Sequence, residues 1–229
     1  MYPFLPNIRA VTFDDFNTLR YNVDKRNIVY PIFRNLKKYG VKVELKDFLS
    51  RYVNADKDYR KNVKETLRES LLDSIIIDVL KSQGYKSLKL RSIVTRSIDE
   101  VLATQRAIWY PDALLVLKTL RKKGYILGLI TNTHWRISNK TKKEFEKYFG
   151  VITLSYEHGY AKPHPTIFLT TLKKLNVSAE CCLHIGDDPT ADIQGAKEVG
   201  MRTAFIKRGK EKANADIQIK QLKDLTRIL

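Results

Sequence analysis

Apolar and polar positions repeat in two different rhythms along this chain, and the change of rhythm divides it. Ile8 to Phe13 is a short apolar run that stops at Asp14-Asp15, with turn chemistry at Asn17-Thr18 behind it. Such a run predicts a buried strand that delivers carboxylates at its C-terminal end. From Val23 to about Ile108 apolar residues recur at helical spacing instead, over Ile28 to Tyr39, Leu45 to Leu67, Ser70 to Gln83 and Lys89 to Arg106. Leu71, Ile75, Val79 and Leu80 fall on one helical stripe, and Gly40 and Gly84 stand where helix C-caps would be. This block of helices is too long to be a loop.

Beyond Trp109-Tyr110-Pro111-Asp112, helix and strand alternate. Ala113 to Lys123 is amphipathic, Gly124 ends it, and Tyr125 to Ile130 is an apolar run stopping at Thr131-Asn132. Helices follow over Lys140 to Phe149, Pro165 to Leu175 and Ile193 to Val199, and strands over Val151 to Ser155, Cys181 to Ile185 and Arg202 to Ile206. That alternation implies an α/β fold with a parallel sheet covered on both faces. Ligands bind such sheets at the carboxyl ends of the strands, where this chain places Asp14, Asp15, Asp187 and Asp188. The expected organisation is a Rossmann-like core from residues 1–20 and 109–229, with residues 21–108 as an α-helical cap inserted after the first strand.

Composition narrows the class. With 229 residues, 43% apolar and 29% charged, the chain is globular and not disordered, and its 10 Gly and 7 Pro exclude collagen-like and linker-like states. The net charge of +17 should attract anions. It is dispersed: residues 21–105 hold 18 Lys and Arg against 11 Asp and Glu, about their share by length. No stripe or motif organises it, so no specific nucleic-acid binding is expected. Cys181 and Cys182 are adjacent in a predicted buried strand, point to opposite faces, and are not expected to form a disulfide. Met1 to Ala10 lacks a secretory pattern, and no stretch reaches the ~20 apolar residues of a membrane span. A cytoplasmic monomer or homodimer is the expectation.

Four segments should converge on one sheet edge. They are Phe13 to Leu19, Leu129 to Asn132, Gly159 to Pro163, and His184 to Asp192. A carboxylate, a hydroxyl, a lysine and a second acid pair are the parts needed to bind a divalent cation carrying a phosphate. Mg²⁺ takes oxygen ligands, usually one or two carboxylates with substrate oxygens and water. A carboxylate beside the metal can attack phosphorus and form an aspartyl-phosphate, while Thr131 and Lys162 would hold the phosphoryl oxygens.

With these four segments in order, the chain resembles the haloacid dehalogenase (HAD) superfamily of hydrolases over nearly its whole length. The inserted helical cap and the Lys-Pro-x-Pro run at Lys162 to Pro165 are part of the likeness. The resemblance implies Asp14 as nucleophile and metal ligand, Thr131 as a phosphate ligand with Asn132 beside it, and Lys162 as the motif lysine. It further implies Asp187 as a direct Mg²⁺ ligand, Asp192 as an acid behind it, and the backbone carbonyl of Phe16 as a further ligand. The implied reaction is Mg²⁺-dependent hydrolysis of a small phosphorylated metabolite.

One position departs from the pattern. Family phosphatases usually carry Asp two residues after the nucleophile, as general acid and then base; here that residue is Phe16, which can do neither. Asp15 is an imperfect substitute, because neighbouring strand residues point to opposite sides. An aromatic residue here is typical of 2-haloacid dehalogenases, whose halide leaving group needs no proton. The pair Asp187 and Asp192 has the Mg²⁺-binding form instead. A slow or inactive phosphate-binding regulatory protein is the third reading. His134, His158 and His164 read as loop residues on the site side, His184 as a core histidine, Trp109 and Trp135 as packing residues, and Asp188 as open between a loop acid and a ligand.

Overall fold

The computed structural model describes residues 7–22, 28–68, 71–105 and 107–229. The N-terminal residues 1–6, the predicted helix ends Ser70 and Arg106, and residues 23–27 at the start of the expected cap lie outside the described residues.

The shortest apolar run forms the centre. β1 (Ala10–Phe13) is wholly buried and pairs in parallel with β4 (Ile126–Thr131) on one side and β6 (Cys182–Gly186) on the other. β5 (Val151–Leu154) extends the sheet beyond β4, and β7 (Arg202–Ile206) and β8 (Ile217–Ile219) extend it beyond β6, all parallel. The strand order β5-β4-β1-β6-β7-β8 puts the topological switch at β1, so the loops after β1, β4 and β6 meet at the edge where such sheets bind ligands.

Strand periodicity divides the core between the sheet's two faces. Val11, Phe13, Leu127, Leu129, Leu183 and Ile185 pack with α5 (Ala113–Lys122), with Phe145 of α6 (Asn139–Glu146), and with the C-terminal turn α10 (Leu225–Ile228). Ala10, Ile130 and Cys182 pack against Ile167, Phe168, Leu172 and Leu175 of α8 (Pro165–Leu175). Between β5 and α8, the single turn α7 (Ser155–His158) ends at Gly159, whose φ of +90° favours glycine.

The helical block comprises α1 (Val29–Lys38), α2 (Leu45–Thr66), α3 (Leu72–Ser82) and α4 (Leu90–Leu102). It buries its own cluster, including Ile32, Leu36, Phe48, Ile76, Leu80, Val94 and Ile98. Each such side chain contributes about 1.5–3 kcal/mol on burial. Among the described residues no helix is long and apolar enough to cross a membrane.

Three features depart from the expected elements. Arg20–Asn22 (β2) and Ala107–Trp109 (β3) pair antiparallel as a ribbon, so boundaries drawn after residues 20 and 108 fall inside a paired unit. Strand β8 was not expected; three residues carry too little periodicity to show in a sequence. The helix expected over Ile193 to Val199 is instead a wide helical turn, Pro189–Gln194, running into α9 (Gly195–Glu198). Cys181 lies just before β6, half-buried, and both cysteines are free.

The ribbon also carries a buried ion pair. Arg20, 5% exposed, donates to both carboxylate oxygens of Asp15 at 2.6 and 2.5 Å and lies 4.4 Å from the Phe145 ring centroid. Removing one partner leaves the other charge buried alone. Arg20→Ala should therefore lower unfolding free energy by about 3–5 kcal/mol, read from urea denaturation, and a loss under 1 kcal/mol would show that Asp15 finds another partner.

Candidate active site

The site is assembled around one ammonium group. Lys162, 4% exposed, donates from Nζ to Asp14 Oδ1 at 2.7 Å, to Asp192 Oδ1 at 2.5 Å and to the carbonyl of Ile130 at 2.9 Å. An ammonium has three protons, and these contacts use all of them. Asn132 holds the lysine's backbone in turn: its Nδ2 donates to the Lys162 carbonyl at 2.9 Å and its Oδ1 accepts from the Lys162 amide at 2.8 Å. The Asn132 side chain, expected to bind substrate, is thus engaged in placing Lys162.

The second acid loop is built on a close approach. Asp192, 1% exposed, folds back under Gly186, where a Cβ would stand 2.1 Å from its carboxyl carbon. Its Oδ2 accepts the Asp188 amide at 3.0 Å, and His184 Nε2 lies 3.3 Å from its Oδ1. His184, a buried strand residue as expected, also bonds Thr12 Oγ1 at 2.9 Å, so it links β1 to this carboxylate. Asp188 is a helix cap: its Oδ1 accepts from the amides of Thr190 and Ala191, both at 2.8 Å.

Carboxylate oxygens of Asp14, Asp187 and Asp192 lie within 4.8 Å of one another. Thr18 Oγ1 donates to Asp187 at 3.4 Å, and Arg208 pins the loop after β1 through the carbonyls of Asn17 and Thr18. Thr131 is buried as the last residue of β4. Phe16 follows Asp14 by two residues on this loop, half-buried, while Asp15 is held by Arg20 and takes no part in the cluster.

The charges are unbalanced. Burial, reinforced by Asp192 and Asp15, raises the Asp14 carboxyl well above its usual range although Lys162 pulls the other way. Burial, with Asp192 adding to it, pushes Asp187 up to about 6. Asp192 is held far below the carboxylate range despite its burial, because Lys162 and His184 face it. The two carboxylates likewise raise Lys162 against the effect of its own burial.

Sequence reasoning gave no role to Arg20, Thr18 and Arg208: Arg208 holds backbone carbonyls, and the pairings of Arg20 with Asp15 and of Thr18 with Asp187 depend on how the loops fold. Trp109 packs as expected, donating from Nε1 to Glu144 at 2.7 Å. His164 caps α8 and stacks on Tyr160 with ring centroids 4.1 Å apart, and His158 lies 3.2 Å from Thr170. His134 and Trp135, in contrast, reach the wall of a cavity of about 550 Å³ beside Phe16.

A parallel sheet with an acid-and-lysine cluster at its switch point is the frame of an α/β hydrolase with an inserted helical segment. Residues 8–200 match the family described as haloacid dehalogenase-like hydrolase, and the chain belongs to it. A glyceraldehyde 3-phosphate phosphatase of Pyrococcus furiosus is 38% identical over 116 residues, 50% of this chain and 48% of that protein. The chain spans about half the length of the glyceraldehyde 3-phosphate phosphatases it matches. A phosphoglycolate phosphatase of Aquifex aeolicus is 25% identical over 92% of this chain and 90% of its own. A 2-haloacid dehalogenase from Pseudomonas syringae shares the fold at a TM-score of 0.71, with 23% identity over 96% of this chain and 97% of its own.

Lys162→Met leaves Asp14 and Asp192 buried without a counter-charge. At pH 7.5 the metal-free variant should lose about 3–5 kcal/mol relative to the parent. The lone carboxyls would then titrate above their unfolded values, so the deficit should shrink as the pH is lowered through that range. Denaturant titrations at pH 7.5 and 5 check this, and a pH-independent deficit would refute it.

Proposed function

We propose that this chain is a Mg²⁺-dependent phosphohydrolase that transfers a phosphoryl group from a small phosphorylated substrate to Asp14 and then to water. The observation that carries the reading is the cluster itself: three clustered carboxyl groups with one ammonium among them, a site with more acids than cations and only oxygen atoms to offer a metal. That donor set and charge fit a hard divalent cation. Asp14 and Asp187, with the carbonyl of Phe16, would hold it. When bound, Mg²⁺ neutralises the approaching phosphate and the carboxylates that otherwise repel it.

The chain's own residues do the rest. Asp14 presents a carboxylate oxygen to phosphorus, and Lys162, fixed by Asp192 and Asn132, offsets the charge on the phosphoryl oxygens. Thr131 adds a hydroxyl from the end of β4. Asp192 acts from behind by orienting Lys162. Residues 21–108 are read as a cap. The Leu67 carbonyl accepts the Ala161 amide at 2.7 Å, the Leu72 amide donates to the His134 carbonyl at 2.7 Å, and Arg136 pairs with Asp73 at 2.6 Å, so the helical block contacts the loops beside Lys162 and Thr131. Such a cover excludes water and selects substrate. The phosphatases among the relatives support a small phosphorylated metabolite as substrate. Retention of Asp187 and Asp192 speaks against a metal-free dehalogenase.

Asp14→Asn should abolish Mg²⁺-dependent p-nitrophenol release from p-nitrophenyl phosphate, a loss of at least about 10³-fold. Residual turnover above a tenth of the parent rate would show that Asp14 is not the nucleophile, and metal-independent chloride release from 2-chloropropionate would replace the reading with dehalogenation. Because burial pushes Asp187 up to about 6 and raises Asp14 as well, and both must be ionised to bind metal, Mg²⁺ affinity measured by calorimetry should weaken as the pH falls. Below pH 6 it should weaken by about tenfold per unit, and a flat profile would remove Asp187 from the ligand set.

A further inference from the structure

Two independent features meet at Phe16. The first is that neither of the residues next after Asp14 on its loop, Asp15 or Phe16, offers a proton to a leaving group. Phe16 itself carries no acid, and Asp15, the neighbouring carboxyl, is held by Arg20 with both oxygens. The second is the cavity of about 550 Å³ that opens beside Phe16 between the loop after β4 and the helical block. Its wall includes Phe16, Leu49, Tyr52, Val53, Leu102 and Trp135, and Val53 remains 47% exposed. Of its charged groups, Arg20 and Arg136 are engaged by Asp15 and Asp73, and Asp56 and His134 share the wall. A cavity of this size, with aromatic and aliphatic side chains along part of its wall, has room for a ring.

We propose that the substrate is an aryl phosphate: the ring occupies this cavity, and the ester oxygen departs as an aryloxide that needs no proton from the protein. The proposal rests on the phosphohydrolase reading above. In the first step a carboxylate oxygen of Asp14 bonds to phosphorus while the bond from phosphorus to the aryl oxygen breaks, and the electron pair leaves on that oxygen. The ring delocalises the charge, and the aryloxide takes its proton from solvent later. In the second step water bonds to phosphorus and the bond to Asp14 breaks. The carboxylate is restored, and the water's proton leaves on the product as dihydrogen phosphate. An alkoxide leaving group gains nothing from a ring, so an aliphatic ester pays the full cost of the missing acid, about 10²–10⁴-fold.

The test is a leaving-group series read with Mg²⁺: p-nitrophenyl, phenyl and ethyl phosphate. For the parent protein kcat/KM should fall by about 10²-fold from p-nitrophenyl to phenyl and by about 10⁴-fold to ethyl. Phe16→Asp should narrow the span from p-nitrophenyl to ethyl by about 10²-fold. A second measurement needs no variant at Phe16 and no turnover. In calorimetry with Mg²⁺, phenylphosphonate should bind about tenfold more tightly than methylphosphonate, and Leu49→Ala or Tyr52→Ala should remove that preference. Equal rates across the series would overturn the proposal, because Asp56 or His134 on the cavity wall would then be protonating the leaving oxygen. Equal phosphonate affinities would overturn it as well. No turnover of any ester, with the phenyl preference intact, would instead overturn the phosphohydrolase reading and uphold an aromatic occupant of the cavity.

Discussion

The ammonium of Lys162 is the point on which the rest of this structure depends. A buried charge is tolerated only when every proton finds an acceptor. Here the acceptors come from the end of β4, the end of β1 and the loop after β6. Those three strands must therefore lie side by side in register. The parallel pairings of β1 with β4 and β6 provide that, and Gly186 and His184 let Asp192 turn back beneath the sheet edge. Sheet topology and site chemistry are one constraint seen at two scales.

The same ammonium explains the unequal state of the three acids. Its pull outweighs burial at Asp192, with His184 helping, but not at Asp14 or Asp187. The result is a site with one settled carboxylate and two in want of a cation. A stable fold does not need such an arrangement, since apolar residues of similar volume would pack at lower electrostatic cost. Its retention speaks for ligand binding. The family relation and the phosphatases among the relatives point the same way.

Around this centre lies a second layer built on guanidinium groups, two of them paired with acids. Arg20 closes off Asp15, Arg208 fixes the loop after β1, and Arg136 ties the helical block to the loop after β4 through Asp73. Each uses a guanidinium where planar, multiple donors are needed. Together they shape the wall on which Phe16 and Trp135 sit. In the proposed reading, substrate choice belongs to this layer and phosphoryl chemistry to the first.

Much of this was legible in the sequence. The alternation of apolar runs predicted the parallel core, the helical stripes predicted the inserted block, and Asp14, Thr131, Lys162, Asp187 and Asp192 stood out because each lies at a predicted strand end or in the loop that follows, within a short contiguous motif. What those signals share is locality: a strand, a helix or a motif is written over a few neighbouring residues, so its pattern survives without the fold. The ribbon of β2 and β3, the pairing of Asp15 with Arg20, the capture of Asn132 by the Lys162 backbone and the cavity wall of Trp135 were decided by tertiary structure. Each depends on how folded segments pack: the ribbon joins residues 85 or more positions apart, and the cavity wall gathers residues between positions 16 and 141. The chain alone determined which residues could do chemistry and on which element each stood. Only folding decided which of them touch, because contact between distant segments depends on packing the whole core and is written at no single position.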